Sequence, residues 1–270
     1  MIDKISEYFS SCSIEYFAVL SYDDCREING RIIDRQGFQP KSVIIYLLPY
    51  YSGESVNLSR YASSLDYHLA IAEINSGLEK RLKESFPDAS VKGYGDHSPI
   101  DERHAALIAG LGMAGDNGLI INEKYGSYVF IADMLTDIPP EQLSAISPST
   151  PIRCEGCGAC KRACPTGILA TWEGECLSAI TQRKGELCEE EKTLMRKYNT
   201  LWGCDICQSV CPHNSNPELT PIEFFYRERI AHLTRDILDN MSDEEFERRA
   251  FAWRKRRTVE RNIDILYGKK

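Results

Sequence analysis

No apolar run in the sequence is long enough to cross a bilayer. The longest, Val43 to Leu48, falls far short of the ~20 residues a spanning helix needs. The opening residues Met1-Ile2-Asp3-Lys4 lack the basic-then-apolar layout of a secretory signal, so no membrane partner is expected and the cytoplasm is the expected compartment. Positive charge is scarce too. Lys and Arg number 32 against 40 Asp and Glu, a net charge of −8. General nucleic-acid binding, which neutralises phosphates with Lys and Arg, is not what this balance suits. There is no repeat of solenoid length and no low-complexity tract. What is present is ordinary for a globular chain: 270 residues, 43% hydrophobic and 27% charged, enough to build a core over about two domains.

Cysteine is missing from residue 26 to residue 153, and again after Cys211. Nine of the eleven cysteines lie between Cys154 and Cys211, with Cys12 and Cys25 near the start. In a reducing compartment, such a cluster points to metal binding rather than disulfides. A Pro- and Ser-rich stretch from Ile138 to Pro151 precedes it and reads as a linker. These shifts divide the chain into residues 1–148, 149–215 and 216–270.

The first part mixes strand and helix signals, the mark of an α/β or α+β layered domain. Phe17 to Leu20 and Val43 to Leu48 read as buried strands. Arg60 to Phe86 reads as one long helix closed by Pro87, and Glu102 to Leu111 as a second ended by Gly112. Leu119 to Ile121 and Tyr128 to Met134 read as two strands joined by a turn near Tyr125-Gly126. The last part is helical: Ser242-Asp243-Glu244-Glu245 has the form of a capping box and predicts a helix running towards Arg257.

Cys154-x2-Cys157-x2-Cys160-x3-Cys164-Pro165 is the run of a bacterial-type dicluster ferredoxin. Three thiolates spaced by two residues wrap one cubane cluster, and the fourth, followed by proline, reaches the other. Gly156 and Gly158 allow the tight backbone. A second run, Cys204-x2-Cys207-x3-Cys211-Pro212, has three of its four ligands. Crossing the runs gives Cys154, Cys157, Cys160 and Cys211 to one [4Fe–4S] cluster. The other takes Cys164, Cys204 and Cys207 with either Cys176 or Cys188. Zinc also uses Cys-x2-Cys pairs, but it explains neither the four-cysteine run nor the two Cys-Pro endings.

Other short motifs point to a family. They are Pro40-Lys41-Ser42-Val43-Ile44, Leu48-Pro49-Tyr50, Arg60-Tyr61-Ala62 and Asp66-Tyr67-His68; then Asp96-His97-Ser98-Pro99, Glu102-Arg103, Ala109-Gly110-Leu111-Gly112 and Gly126-Ser127-Tyr128-Val129-Phe130. Cys176-Leu177-Ser178, Met241 to Phe246 and Arg261-Asn262 follow. In this order, with the cysteine runs, the chain resembles the epoxyqueuosine reductases, cobalamin-dependent iron–sulfur enzymes of queuosine biosynthesis. The resemblance implies an α+β fold: a nitroreductase-like cobalamin-binding module, a dicluster ferredoxin domain and a short helical tail. It selects Cys176 as the eighth cluster ligand. It makes Asp96 the catalytic proton donor, in a desolvated site that raises its pKa. It implies cobalamin contacts at Arg60, Tyr61, Asp96, Ile120 and Ile131, and at Ser178, Lys184, Cys204 and Asp205. It also implies an external electron donor of ferredoxin or flavodoxin type, and a monomer is expected.

The chain departs from the family where Gly112-Met113-Ala114-Gly115-Asp116-Asn117 stands in place of Gly-Trp-x-Gly-Lys-Asn. Longer members continue into a C-terminal helical-repeat region that helps hold tRNA, and this chain ends before it. With the −8 charge, this counts against tRNA as the substrate. Two other readings stand beside the reductase. One is a paralogue reducing another small molecule by dehalogenation or deoxygenation. The other is a two-cluster ferredoxin-type electron carrier without a corrinoid. The basic run Arg254-Lys255-Arg256-Arg257 reads as a solvated helix face. His68 reads as a hydrogen-bonded structural histidine, and Cys12, Cys25 and Cys188 as small buried hydrophobes.

Overall fold

A computed structural model describes residues 1–268. The chain forms two compact units. One is Met1–Pro49 with His68–Gly156; the other is Tyr50–Tyr67 with the chain from Cys157 onward. Helix and sheet are mixed in the first, and the named elements of the second, among the described residues, are short helices joined by irregular loops.

The first unit is built on a four-stranded antiparallel sheet in the order β1-β2-β6-β3. The strands are β1 (Phe17–Ser21), β2 (Ser42–Pro49), β3 (Val91–Gly95) and β6 (Val129–Thr136). All eight residues of β2 are buried, which is why its sequence is a continuous apolar run rather than an alternation. One sheet face carries helices α1 (Ile2–Ser11) and α3 (Tyr67–Ser85). There the Phe9 ring lies 5.0 Å from Tyr46, and the Tyr46 hydroxyl donates to Asn75 Oδ1 at 3.1 Å. Gly95 permits this close approach, since a Cβ there would stand 2.7 Å from Ile71. The other face carries α4 (Glu102–Ile108), with Ala105, Ala106 and Ile108 packed on Val43, Ile45 and Leu135. Helix α2 (Gly30–Gln36) adds Ile33 to that core.

Several boundaries differ from the sequence reading, each for a local reason. Arg60 to Asp66 is not helical beyond a single 3-10 turn, Arg60–Ala62. Ser59 and Asp66 give their N–H groups to the Trp202 and Arg248 carbonyls, so the backbone is spent on partners distant in sequence. Helix α4 ends at Ile108 because Gly110 turns left-handed at φ +72°. The two strands expected as neighbours do not pair. β5 (Ile120–Ile121) joins β4 (Met113–Ala114) in a separate ribbon, while β6 enters the main sheet. The Pro/Ser stretch is strapped down rather than loose. Ser42 Oγ donates to the Ile138 carbonyl at 2.6 Å, and Ser149 N–H donates to the Ile108 carbonyl at 2.7 Å.

The second unit assembles short helices around the cysteine loops: α5 (Ala159–Ala163), α6 (Ile168–Thr171), α7 (Leu177–Gln182), α8 (Glu189–Lys197) and α9 (Ile206–Ser209). Then come α10 (Arg235–Asn240), α11 (Asp243–Glu247) and α12 (Arg256–Tyr267). The capping box at Ser242 is formed, with Ser242 Oγ accepting from Glu245 N–H and the Glu245 carboxylate accepting from Ser242 N–H. The helix it starts stops at Glu247, and Lys255 at φ +73° separates it from α12. Arg256 is absorbed there, donating to the Leu238 and Met241 carbonyls, so the basic run is partly structural. Trp202, Leu233, Phe246, Phe251, Val259 and Ile263 form the main core.

Asn262, fully buried, ties this core to α7: its Nδ2 donates to the carbonyls of Thr181 at 2.7 Å and Leu201 at 2.8 Å. Removing the amide strands two buried acceptors, each worth about 1–3 kcal/mol. Asn262→Ala is therefore expected to cost roughly 2–4 kcal/mol, seen as a lower denaturant midpoint with an unchanged slope.

Candidate functional site

The cysteine loops are shaped by glycine and proline. Gly158 at φ +73° turns the chain into α5, and Cys160 is buried on it. Cys164 follows in extended backbone. Pro165 then stops the helix, and Gly167 at φ +72° starts α6. This fold aims amide groups at a sulfur. Burial pushes the Cys164 thiol up. Hydrogen bonds from the Leu169, Thr166 and Gly167 backbones and the Thr166 hydroxyl outweigh it, and the net effect is downward. Cys154, in the first unit, accepts the Asp116 N–H at 3.3 Å, and the Asp116 carboxylate pairs with Arg153 at 3.6 Å.

The thiols of the second unit lie close enough to act on one another. Burial first, then the charges of Cys176, Asp205 and Cys164, push Cys204 up to about 12. Burial first, then Cys204, Cys176, Asp205 and Cys160, push Cys207 up to about 12. Buried sulfurs in this state hold their protons until a cation takes the place of those protons. No cysteine among the described residues is in a disulfide. Neighbouring thiols outside any disulfide, two of them desolvated (Cys204 and Cys207) and another, Cys164, with N–H groups turned towards it, fit an iron–sulfur cluster. Cys188 is placed differently: it is exposed at the N-cap of α8 and shares a capping box with Glu191. Its reading as a buried hydrophobe is corrected by that exposure. Cys12 and Cys25 are half-buried.

Arg60, Tyr61, Cys204 and Asp205 are brought together within the second unit. Asp205 is the hub. Its Oδ2 accepts the Arg60 N–H at 2.6 Å and the Arg60 guanidinium at 3.3 Å, and its Oδ1 accepts from the Ser59 hydroxyl and from Gln208 at 3.1 Å. The Tyr61 hydroxyl accepts the Trp202 indole N–H at 3.2 Å. Beside the hub lies a cavity of about 200 Å³, lined by Asn57, Ser59, Arg60, Thr200, Cys204 and Asp205 among others. Its lining is polar, which suits the carboxamide fringe of a corrinoid. Ser178 lies on α7 and accepts from Gln182 at 2.9 Å, while Lys184 is exposed.

In the first unit, Ile120 is buried in the core and Ile131 is half-buried against it. Asp96 follows β3 with left-handed backbone, φ +58°, and His97 shares it at φ +54°. The Asp96 carboxylate lies 3.5 Å from His68 Nε2, and its side chain is 52% exposed. The expected desolvated carboxyl is thus not at Asp96 within this unit. The desolvated acids stand nearby, at Glu102 and Asp133, where burial raises both pKa values. The sequence reading missed them. Their signal was Asp133, a lone acid in the apolar strand Val129–Thr136.

Residues 153–214 match the model of a 4Fe-4S double cluster binding domain. The epoxyqueuosine reductase of Listeria monocytogenes is 34% identical over 224 residues, which cover 78% of this chain and 56% of that protein. The chain therefore spans little more than half the length of that relative. The enzyme of Cyclobacterium marinum is 31% identical over 242 residues, 84% of this chain and 76% of that one. A crystal structure of epoxyqueuosine reductase with an epoxyqueuosine-modified tRNA-Tyr stem loop is 26% identical. It superposes with a TM-score of 0.76 over 97% of this chain and 80% of that one. With the cysteine runs, the mixed sheet and helix architecture and the likeness through both units, the chain belongs to the epoxyqueuosine reductase family.

Proposed function

We propose that this protein reduces the epoxide of epoxyqueuosine to an alkene, on a tRNA substrate, using two [4Fe–4S] clusters and cobalamin. The tRNA-bound relative and the family membership support this substrate, against the acidic balance of the chain. Residues 1–148, apart from Tyr50–Tyr67, which folds with the second unit, would serve as the nitroreductase-like module, 149–215 as the dicluster domain and 216–270 as the helical tail. One cluster takes Cys154, Cys157, Cys160 and Cys211; the other takes Cys164, Cys176, Cys204 and Cys207. The proposed cobalamin contacts are Asp96, Ile120 and Ile131 in the first unit. In the second they are Arg60, Tyr61, Ser178, Lys184, Cys204 and Asp205. When bound, cobalamin supplies the redox chemistry that breaks a carbon–oxygen bond, with electrons drawn through the clusters from a ferredoxin- or flavodoxin-type donor.

The protein's own residues hold and move the proton. Asp96 would donate to the departing oxygen, and His68 at 3.5 Å holds its carboxyl in place. One observation favours an enzyme over a plain electron carrier. Asp96 and His97 are consecutive non-glycine residues in left-handed backbone, at φ +58° and +54°. Each costs on the order of 1–3 kcal/mol and persists only where the surroundings hold it, as at active sites.

The direct test is anaerobic incubation with a stem loop carrying epoxyqueuosine, a low-potential reductant and cobalamin. Queuosine is the expected product, and none forming would refute the reading. Asp96→Asn should retain the cluster and corrinoid spectra while turnover falls by about 10²-fold or more; full activity would remove Asp96 from its role. Reconstituted wild-type protein should carry about eight irons per chain. Cys176→Ser should lower the count to about four while Cys188→Ser leaves it unchanged; the reverse pattern would exchange their roles.

A further inference from the structure

Asp133 is the least accounted-for group in the first unit. It sits in β6 between Ile131 and Leu135, in register with Ile45 on one side and Tyr94 on the other. Its side chain lies under α4, with 0% exposure. Neither carboxyl oxygen meets a donor in ordinary hydrogen-bond geometry. A lone carboxylate in such a place is costly by several kcal/mol unless it is paired or protonated. No structural duty at the strand explains the acid, since the ladder bonds of β6 are made by backbone.

Its partner is Glu102, the first residue of α4, whose Oε1 is also buried without a hydrogen-bond partner. The two carboxyls act directly on each other, and the Ser98 hydroxyl eases the charge on Asp133. Burial is the largest cause of the upward shift at both. At Glu102, the charges of Asp133, Asp96 and Asp101 add to it. The other titratable groups that feel Asp133 are Cys25, Tyr46 and Tyr94, all pushed up and therefore neutral near pH 7. Two acids facing each other in an apolar site cannot both ionise. The proposed reduction consumes two electrons and two protons: both epoxide carbon–oxygen bonds break, a carbon–carbon double bond forms, and the oxygen leaves as water. Asp96 can carry only one proton at a time.

We propose that Glu102 and Asp133 store a shared proton and pass it to Asp96, supplying the second proton of the reaction. The inference rests on the proposed function for its substrate. Asp96 gives its proton to the epoxide oxygen and becomes a carboxylate. The Glu102–Asp133 pair then protonates Asp96, which delivers that proton to the same oxygen as it leaves as water. The electrons come from the external low-potential donor through the clusters, and solvent restores the pair's proton through Glu102, the less buried member. Glu102 and Asp133 are positioning and proton-holding residues; Asp96 alone touches substrate.

The test has two readouts on the cluster-loaded chain. The first is infrared spectroscopy at neutral pH. Wild type should show the carbonyl stretch of a protonated buried carboxylic acid, shifted in D2O. Near-isosteric Asp133→Asn and, separately, Glu102→Gln should each shift or weaken it, and the double variant should abolish it. Its absence from wild type, its persistence unshifted in both single variants, or its survival in the double variant overturns the store. The second is the pH profile of single-turnover reduction. Asp133→Asn should slow the reaction about tenfold or more and move the alkaline fall in rate to lower pH. An unchanged profile with the band shifted or weakened overturns the transfer to Asp96. Wild type that reduces no epoxyqueuosine refutes the functional reading instead, and the infrared band then decides the store alone. Stability gives an independent check. The folded pair binds a proton that the unfolded chain has already released above the usual carboxylate range. Wild-type stability should therefore fall as pH rises from there through the raised folded values. Asp133→Asn should flatten that fall and be the more stable protein at alkaline pH; an equally steep fall in the variant would contradict a stored proton.

Discussion

The second unit depends on one buried carboxylate. Asp205 lies within its polar core with 8% of its side chain exposed, and it accepts from Ser59, from the backbone and guanidinium of Arg60, and from Gln208. Those bonds tie the segment Tyr50–Tyr67 to the turn that carries Cys204 and Cys207. A buried charge is tolerated only when it is answered in this way, and breaking such a set leaves the remaining charge stranded. The same clasp draws Arg60 out of the helix that its apolar neighbours suggest. It also shapes the polar cavity beside Cys204. Structure and candidate chemistry therefore share one set of bonds.

The two units answer buried ionisable groups differently. In the second, Asp205 has Arg60, and Arg249, 5% exposed, has Glu228, whose carbonyl accepts from it at 2.6 Å. The desolvated thiols are the exception, and they are the groups for which iron replaces protons. In the first unit, Asp133 and Glu102 have only each other and Ser98. Where no cation answers, a proton must. That difference separates the thiol-rich unit, whose buried groups suit metal, from the unit whose buried acids keep their protons.

Asp96 joins these themes. Its loop bends through two left-handed residues directly after β3, and His68 on α3 meets its carboxyl. Gly95, one residue earlier, lets α3 lie close on the strand, so the helix that bears His68 is held against the strand that presents Asp96. The placement of Asp96 against His68 thus rests on packing at an apolar contact as well as on the polar groups themselves.

Much of this was legible in the chain. The cysteine spacing carried the cluster chemistry because ligand geometry is local: three thiols two residues apart need only a tight turn. Strands β1 and β2 were legible from their apolar runs, and the capping box at Ser242 from four residues. Such features depend on neighbours within a few positions. The pairing of β6 with β2 and β3 rather than β5 was not legible, nor was the loss of helix at Arg60 to Asp66. The burial of Asp133 against Glu102, thirty-one positions before it in the sequence, was equally hidden. Each is decided by groups distant in sequence competing for the same backbone bonds or the same desolvated space, and only the folded chain brings those groups within range. The sequence by itself determined which atoms are available to hold iron and to carry protons. Tertiary structure decided which acids lose their water, and hence which can keep a proton at neutral pH.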